Sequence, residues 1–324
     1  MDNPDFIVRV SCMTYNHVNF IKQAMDGFCM QETTFPFVCT IVDDASQDGT
    51  QNVIRNYIEN NFCESGESFD KMESEDCTRI YARNKFNKNC YFVVVFLKYN
   101  HFSIKKDKHQ YFKKWTNTKY IAPCEGDDYW IYPNKLQYQI DYLENHGDCG
   151  LVHARAKIFN QHEQQFRGFC GDNIINFNDI IIRNPVVTLT ACYRVTIYNE
   201  YMKSKPSWPS NNWKMGDYPL WIWIAYYSKV HYWEEAVAVY REQENSLTHV
   251  NKLEEKLAFI ENTKEIQLFF ADLFQQKEAV REKICYNADK KCALACYKYK
   301  EKKVARYYLK NLTFKDRLRI ILRH

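Results

Sequence analysis

The sequence predicts an α/β protein built on a mainly parallel sheet. Two observations carry that prediction. In the first half, short β-branched runs alternate with segments of helical apolar spacing. The 324 residues are 46% apolar and 26% charged, enough apolar surface for a packed core and too much for a disordered chain.

The elements follow in order. Ile7–Met13 reads as a strand, Asn19–Phe28 as a helix and Phe37–Val42 as a second strand that ends in two carboxylates. Gln51–Asn60 is a helix with Asp48 or Thr50 placed to cap it. Strand and helix repeated at this spacing give parallel βαβ units. Residues 61–78, rich in Glu and Asp, read as a surface loop or insertion. Strand signals resume at Thr78–Ala82, Tyr91–Leu97 and Lys119–Pro123, and Pro133–Asn145 is a helix with Pro at its first position. Gly150–Phe159 and Pro185–Val195 read as strands, Tyr218–Tyr227 as an aromatic-rich helix, and the pattern from Leu253 onward is helical. About 250 residues make one α/β domain, residues 1–250, and residues 251–324 are a helical basic extension.

Composition excludes several classes. Gly 9 and Pro 8 are too few for a collagen-like or low-complexity chain, and a net charge of +4 does not argue for nucleic acid. The thirteen cysteines are scattered and odd in number, and no secretory signal precedes them, so reduced thiols and a cytoplasmic location are expected. Cys292 and Cys296 lack a second ligand pair at zinc spacing. The longest apolar run, Tyr91–Leu97, is too short to cross a membrane.

The chemistry concentrates where strands stop. Asp43 and Asp44 end the second strand, within Asp43-Asp44-Ala45-Ser46-Gln47-Asp48-Gly49-Thr50. Glu125, Asp127 and Asp128 follow the strand ending at Pro123, within Glu125-Gly126-Asp127-Asp128-Tyr129-Trp130. Ligands of open parallel sheets bind outside the carboxyl ends of the strands, so both clusters face one crevice. Such turns also cap helices. Clustered carboxylates repel one another unless a cation offsets them, and a set without histidine suits Mg²⁺ or Mn²⁺ shared with phosphate oxygens.

Four segments resemble the family 2 glycosyltransferases of the GT-A fold, of the bacterial cell-surface polysaccharide type. They are Val10–His17, Val42–Thr50, Glu125–Trp130 and Met215–Leu220, in that order along the chain. The resemblance implies a nucleotide-diphospho-sugar transferase fold and sugar transfer, with inversion, from a nucleotide-sugar donor (UDP-linked) to a cell-envelope glycan or lipid-linked acceptor. It implies that Thr14, Tyr15 and Asn16 border the nucleotide, with Asp43 or Asp44 on the base edge. It implies Asp127 on Mn²⁺ or Mg²⁺, Glu125 at the ribose or metal, and Asp217 as general base. Asp217 before Pro219 is also a good helix start. Within Val239–Ser246, Arg241 is a diphosphate candidate, while Gln243 stands where the family commonly has histidine.

Trp130 and Trp213, the latter in the Pro206–Trp213 loop, are candidates to stack on acceptor sugar rings. Residues 281–324 carry 14 Lys or Arg against 4 acids, net +10, which leaves −6 on residues 1–280. Phe314, Leu318, Ile321 and Leu322 share a helical face bordered by Arg317, Arg319 and Arg323, a pattern suited to peripheral contact with the inner face of a cell membrane. Two other readings remain open. A sugar-nucleotide nucleotidyltransferase usually carries a Gly-rich loop after its first strand, where this chain has Thr14-Tyr15-Asn16-His17. A non-catalytic glycan-binding module leaves the strand-end carboxylates without a role.

Overall fold

The computed structural model describes residues 4–66, 68–209, 212–243 and 252–323. Strands β1 (Val8–Thr14), β2 (Phe37–Asp43), β3 (Phe69–Glu73), β4 (Cys77–Arg83), β5 (Cys90–Leu97), β6 (Tyr120–Pro123), β7 (Tyr129–Trp130), β8 (Cys149–Asn160), β9 (Gln165–Cys170), β10 (Cys192–Arg194) and β11 (Lys229–Glu242) form one sheet. Helices α1 (Ile21–Cys29), α2 (Thr50–Asn61), α3 (Lys135–Asn145), α4 (Phe177–Ile180), α5 (Val195–Ser204) and α6 (Asp217–Tyr227) flank it. Four more follow: α7 (Leu253–Leu273), α8 (Glu278–Lys298), α9 (Lys302–Leu309) and α10 (Phe314–Arg323).

Strand order is β3-β4-β5-β2-β1-β6-β10-β8-β11-β7, with β9 paired on β8. The β5-β2-β1-β6 heart is parallel, as expected of βαβ units. Both of its faces are covered, so its strands are mostly apolar, and the polar Arg9, Thr40 and Asp43 among them are buried as well. Val8, Val10 and Cys12 of β1 meet α1 and α3 on one face, while Val38 and Val42 of β2 pack with Trp115 on the other.

The sequence reading differs from the structure at several places, and it does not anticipate β7, β9 or β11. The acidic stretch 61–78 contains β3, which pairs antiparallel with β4 and extends the sheet edge. Pro133 precedes α3 by two positions, and Asn134 stands at its cap. The segment 185–195 is not one strand: it makes a 3-10 turn at Thr188–Thr190, a short β10, and the start of α5 at Val195. Its Thr-rich, β-branched composition imitates a strand, but Thr190 turns its hydroxyl onto the Ala154 and Val187 carbonyls and ends the extended path.

The helices after Leu253 are not a detached arm. Ile266 and Phe270 of α7 and Ile284 of α8 share a core with Trp221 and Ile224 of α6. Leu309, Leu312 and Ile320 then pack on Ala293 of α8.

Candidate active site

Three loops meet at the carboxyl ends of β1, β2 and β6. Register places Thr14 level with Asp43, and Ser11 level with Pro123. The first two loops are laced together. Asn16 N–H donates to Ser46 Oγ (2.9 Å), and Asn16 Oδ1 accepts from Gln47 N–H (2.9 Å). His17 N–H donates to Thr50 Oγ1 (2.8 Å), and Val18 N–H to Asp48 Oδ2 (2.9 Å). Asn16 sits at φ +57°, which asparagine tolerates better than most side chains. Asp48 also accepts from Thr50 N–H (3.0 Å), so it secures the start of α2 although Gly49 holds the cap position.

The third loop locks to the first through a close approach. Gly126 N–H donates to Met13 O (2.9 Å), and a Cβ on Gly126 would lie 2.7 Å from Thr14 Oγ1. Only glycine fits there without moving the Thr14 turn. Thr14 is buried, and Tyr15 is 45% exposed at the mouth of the crevice.

Asp43 and Asp44 are both buried and both engaged. Asp43 accepts from Ser46 N–H (3.0 Å), Ser46 Oγ–H (2.5 Å) and Gln51 Nε2 (2.7 Å). Burial nevertheless pushes its carboxyl above the usual range, against those donors. Asp44 accepts from His101 N–H (2.7 Å), Phe102 N–H (3.1 Å) and Lys108 Nζ (2.6 Å). Its carboxylate thus holds the loop between β5 and β6 against the site.

The turn after β6 divides its acids by task. Asp128 accepts from Arg241 N–H (2.8 Å); burial, then the Asp127 charge, push its carboxyl well up. Arg241 is buried, with its guanidinium on the Asp127 carbonyl and Gln23 Oε1 and over the Tyr129 ring (4.4 Å). It therefore braces the acidic turn. Gln243 Nε2 donates to Asp127 Oδ2 (2.9 Å). Glu125 is pushed up to about 7, first by burial and then by the Asp127 and Asp217 carboxylates. His17 belongs to the same field: burial lowers its imidazole's pKa, against the pull of Asp127, Asp48 and Asp43.

Asp217 opens α6 from outside the three loops. Its Oδ2 accepts from Thr188 Oγ1–H (2.6 Å) and its Oδ1 from Tyr218 N–H (2.8 Å). Each oxygen keeps a further lone pair. The acceptor-side expectations fare differently. Trp130 is 1% exposed, packs on Phe28 and donates Nε1–H to Leu189 O (2.8 Å), so it is a core residue and offers no ring face to a sugar. Trp213 is half-buried against Trp208 and Phe269. Ser210 and Asn211 of that loop, and Glu244, Asn245, Ser246 and His249, lie outside the described residues.

Sequence reasoning missed Thr188, Lys108, Gln51 and Gln23. None belongs to a motif, and each reaches the site from another element. Among the described residues, no three His, Cys, Asp or Glu side chains are grouped to hold a metal by themselves. The hard oxygens of Asp127 and Glu125 still suit Mg²⁺ or Mn²⁺, which need only one or two protein carboxylates beside phosphate oxygens and water.

No family model matches the chain. It is 24% identical over 248 residues, 75% of its length, to the uncharacterized protein Rv1520 of Mycobacterium tuberculosis, and it spans 60% of that relative's length. An uncharacterized protein of Mycobacterium bovis, Mb1547, matches to the same extent. Among solved structures, Staphylococcus aureus TarS superposes with TM-score 0.54 at 14% identity, over 88% of this chain and 43% of that one. The mannosyltransferase PcManGT from Pyrobaculum calidifontis, solved with GDP-Man and Mn²⁺, gives TM-score 0.52 at 12% identity, over 95% of this chain and 75% of that one. The mixed α/β sheet with flanking helices is thus the GT-A-like fold expected from the sequence, with a helical C-terminal region.

Proposed function

We propose that the protein is an inverting, metal-dependent glycosyltransferase of the family 2 type. The observation that carries this reading is the Glu125–Asp127 turn. Gly126 locks it to the Thr14 turn, so the carboxylates ending β2 and following β6 lie at one edge of the sheet. The nucleotide lies along Thr14, Tyr15 and Asn16, with Asp43 at the base edge. Asp44 shares that wall, tied on its far side to the β5–β6 loop. Asp127 and Glu125 hold the cation, which when bound supplies positive charge to the diphosphate leaving group. The Mn²⁺ and GDP-Man of the Pyrobaculum mannosyltransferase support a donor of this class.

In the transfer step the acceptor hydroxyl oxygen bonds to the anomeric carbon as its proton passes to Asp217. The bond from that carbon to the diphosphate oxygen breaks, and its electron pair leaves with the nucleoside diphosphate. Attack opposite the leaving group inverts the centre. Arg241 and Gln243 keep the Asp127 turn in place. Residues 1–250 form the catalytic unit, and residues 251–324 are the helical basic extension built onto it. The acceptor is a cell-envelope glycan or lipid-linked saccharide, with α10 resting on the inner face of the cell membrane.

The test is turnover of UDP- and GDP-sugars by purified protein with Mn²⁺ or Mg²⁺. Wild type is expected to hydrolyse one donor slowly, and Asp127→Ala to abolish the reaction. Equal turnover in Asp127→Ala refutes the cation site assigned to this turn.

A further inference from the structure

A buried lysine stands behind the acidic site without a carboxylate. Lys135, the first residue of α3, is 0% exposed, and none of the described ion pairs includes it. Its Nζ donates to Gln139 Oε1 (2.8 Å) and lies 4.1 Å from the centre of the Trp130 ring. Burying an ammonium is costly, and one amide oxygen and one ring face offset only part of that cost. Burial brings Lys135 down to about 8.

The lysine's consequence is directional. Because Gln139 Oε1 faces an ammonium, the amide cannot turn its NH₂ that way, and Nε2 must point to Thr190 O (2.7 Å). Trp130 Nε1–H holds the neighbouring Leu189 O (2.8 Å). Thr190 Oγ1 donates to Ala154 O (3.0 Å) and accepts from Ala154 N–H (3.1 Å). Two carbonyls of the Thr188–Thr190 turn are therefore fixed by buried donors from α3 and β7, and the turn is tied to β8. The one side chain of this turn that reaches the site is Thr188, whose hydroxyl meets Asp217 Oδ2 at 2.6 Å.

We infer that Thr188 is a positioning residue for the Asp217 carboxylate, and that the Trp130–Gln139–Lys135 cluster exists to hold its turn. The inference rests on the reading of Asp217 as the base. A donor on Oδ2 fixes the plane of the carboxylate and leaves the remaining lone pairs for the acceptor hydroxyl. It also gives Trp130 a task in the core that its sequence position among the acidic residues did not reveal.

The experiment compares Thr188→Val, Thr188→Ser and Asp217→Asn in the full chain, using turnover of UDP-N-acetylglucosamine and GDP-mannose with Mn²⁺ across pH 5 to 9. Thr188→Val is expected to lower kcat about tenfold, the loss of one hydrogen bond to a charged group, with little change in donor KM. Thr188→Ser, which keeps the hydroxyl on Asp217, is expected to restore the rate. A merely structural threonine would show its loss in thermal unfolding, without a selective fall in kcat that serine rescues. An Asp217→Asn protein without turnover beside a Thr188→Val protein with wild-type kcat overturns this inference alone. Full turnover in Asp217→Asn overturns the base assignment, and this inference with it.

Discussion

The two halves of the site are held in different ways. Thr14 to Val18, Asp43 to Thr50 and Glu125 to Asp128 sit on adjacent strand ends; backbone donors to side-chain oxygens lace the first two together, and Gly126 N–H on Met13 O joins the third. Asp217 sits at a helix start and takes its one side-chain partner from a turn 29 positions away. The first half is assembled by the sheet itself, since neighbouring parallel strands deliver their loops to one edge. The second depends on long-range packing of α6 against the turn at Thr188–Thr190. The lesson is that one half tolerates little local change, while the other can be detuned without disturbing the fold.

Glu125 is where the halves meet, so it gives the largest expected effect. Its carboxyl is raised to about 7 by burial, then by Asp127 from one half and Asp217 from the other. In the unfolded chain the same group titrates near 4.5, so the folded state binds the extra proton between the two values. Stability is then expected to fall as pH rises through that window, by up to about 2 kcal/mol, less than the full shift would give because Glu125 is more than a third exposed to solvent. Glu125→Gln should flatten the curve. Urea unfolding from pH 5 to 8 measures it, and identical slopes for the two proteins would mean that the halves do not couple through this residue.

Asp44 tests the laced half by itself. Its carboxylate anchors His101, Phe102 and Lys108 of the β5–β6 loop, and the Lys108 pair is nearly buried. Removing the charge from one partner of such a pair is expected to cost about 2 kcal/mol, below the fully buried case because Lys108 keeps some solvent contact. Thermal unfolding of Asp44→Asn checks this. If the β5–β6 loop is instead independent of the site, stability will stay within about 0.5 kcal/mol of wild type.

Legibility in the sequence followed the same division. The strand ends and their acidic turns were readable because a β-branched run followed by Asp-Asp or Glu-Gly-Asp is a local pattern. The GT-A-like sheet was readable for the same reason. Trp130 was misread because exposure cannot be seen locally: two residues from Asp128, it turns into the core between Phe28 and Lys135. Segment 185–195 was misread because β-branched composition does not report a side chain that bonds back to the main chain. Thr188 carried no signal at all, since its partner is defined only by the fold.

The smallest effect belongs to the region farthest from this chemistry. On α10, Ile320 packs toward Ala293, and Asp316 is held by Tyr286 (2.5 Å) and Lys290 (3.0 Å). Phe314, Leu318, Ile321 and Leu322 recur at i, i+4, i+7 and i+8 and remain exposed, Phe314 at 79% and Leu322 at 76%. Among the described residues no helix is long and apolar enough to cross a membrane, but this stripe, flanked by cations such as Lys315 and Arg319, suits an anionic surface. Leu322→Gln is expected to leave sugar-nucleotide turnover and unfolding unchanged, because the side chain is exposed and outside both halves of the site. It is expected to weaken flotation with phosphatidylglycerol vesicles about tenfold, the equivalent of burying most of one leucine in the interface. Unchanged flotation would mean that the stripe does not enter the bilayer, and a loss of turnover would mean that the helical extension reaches the site after all.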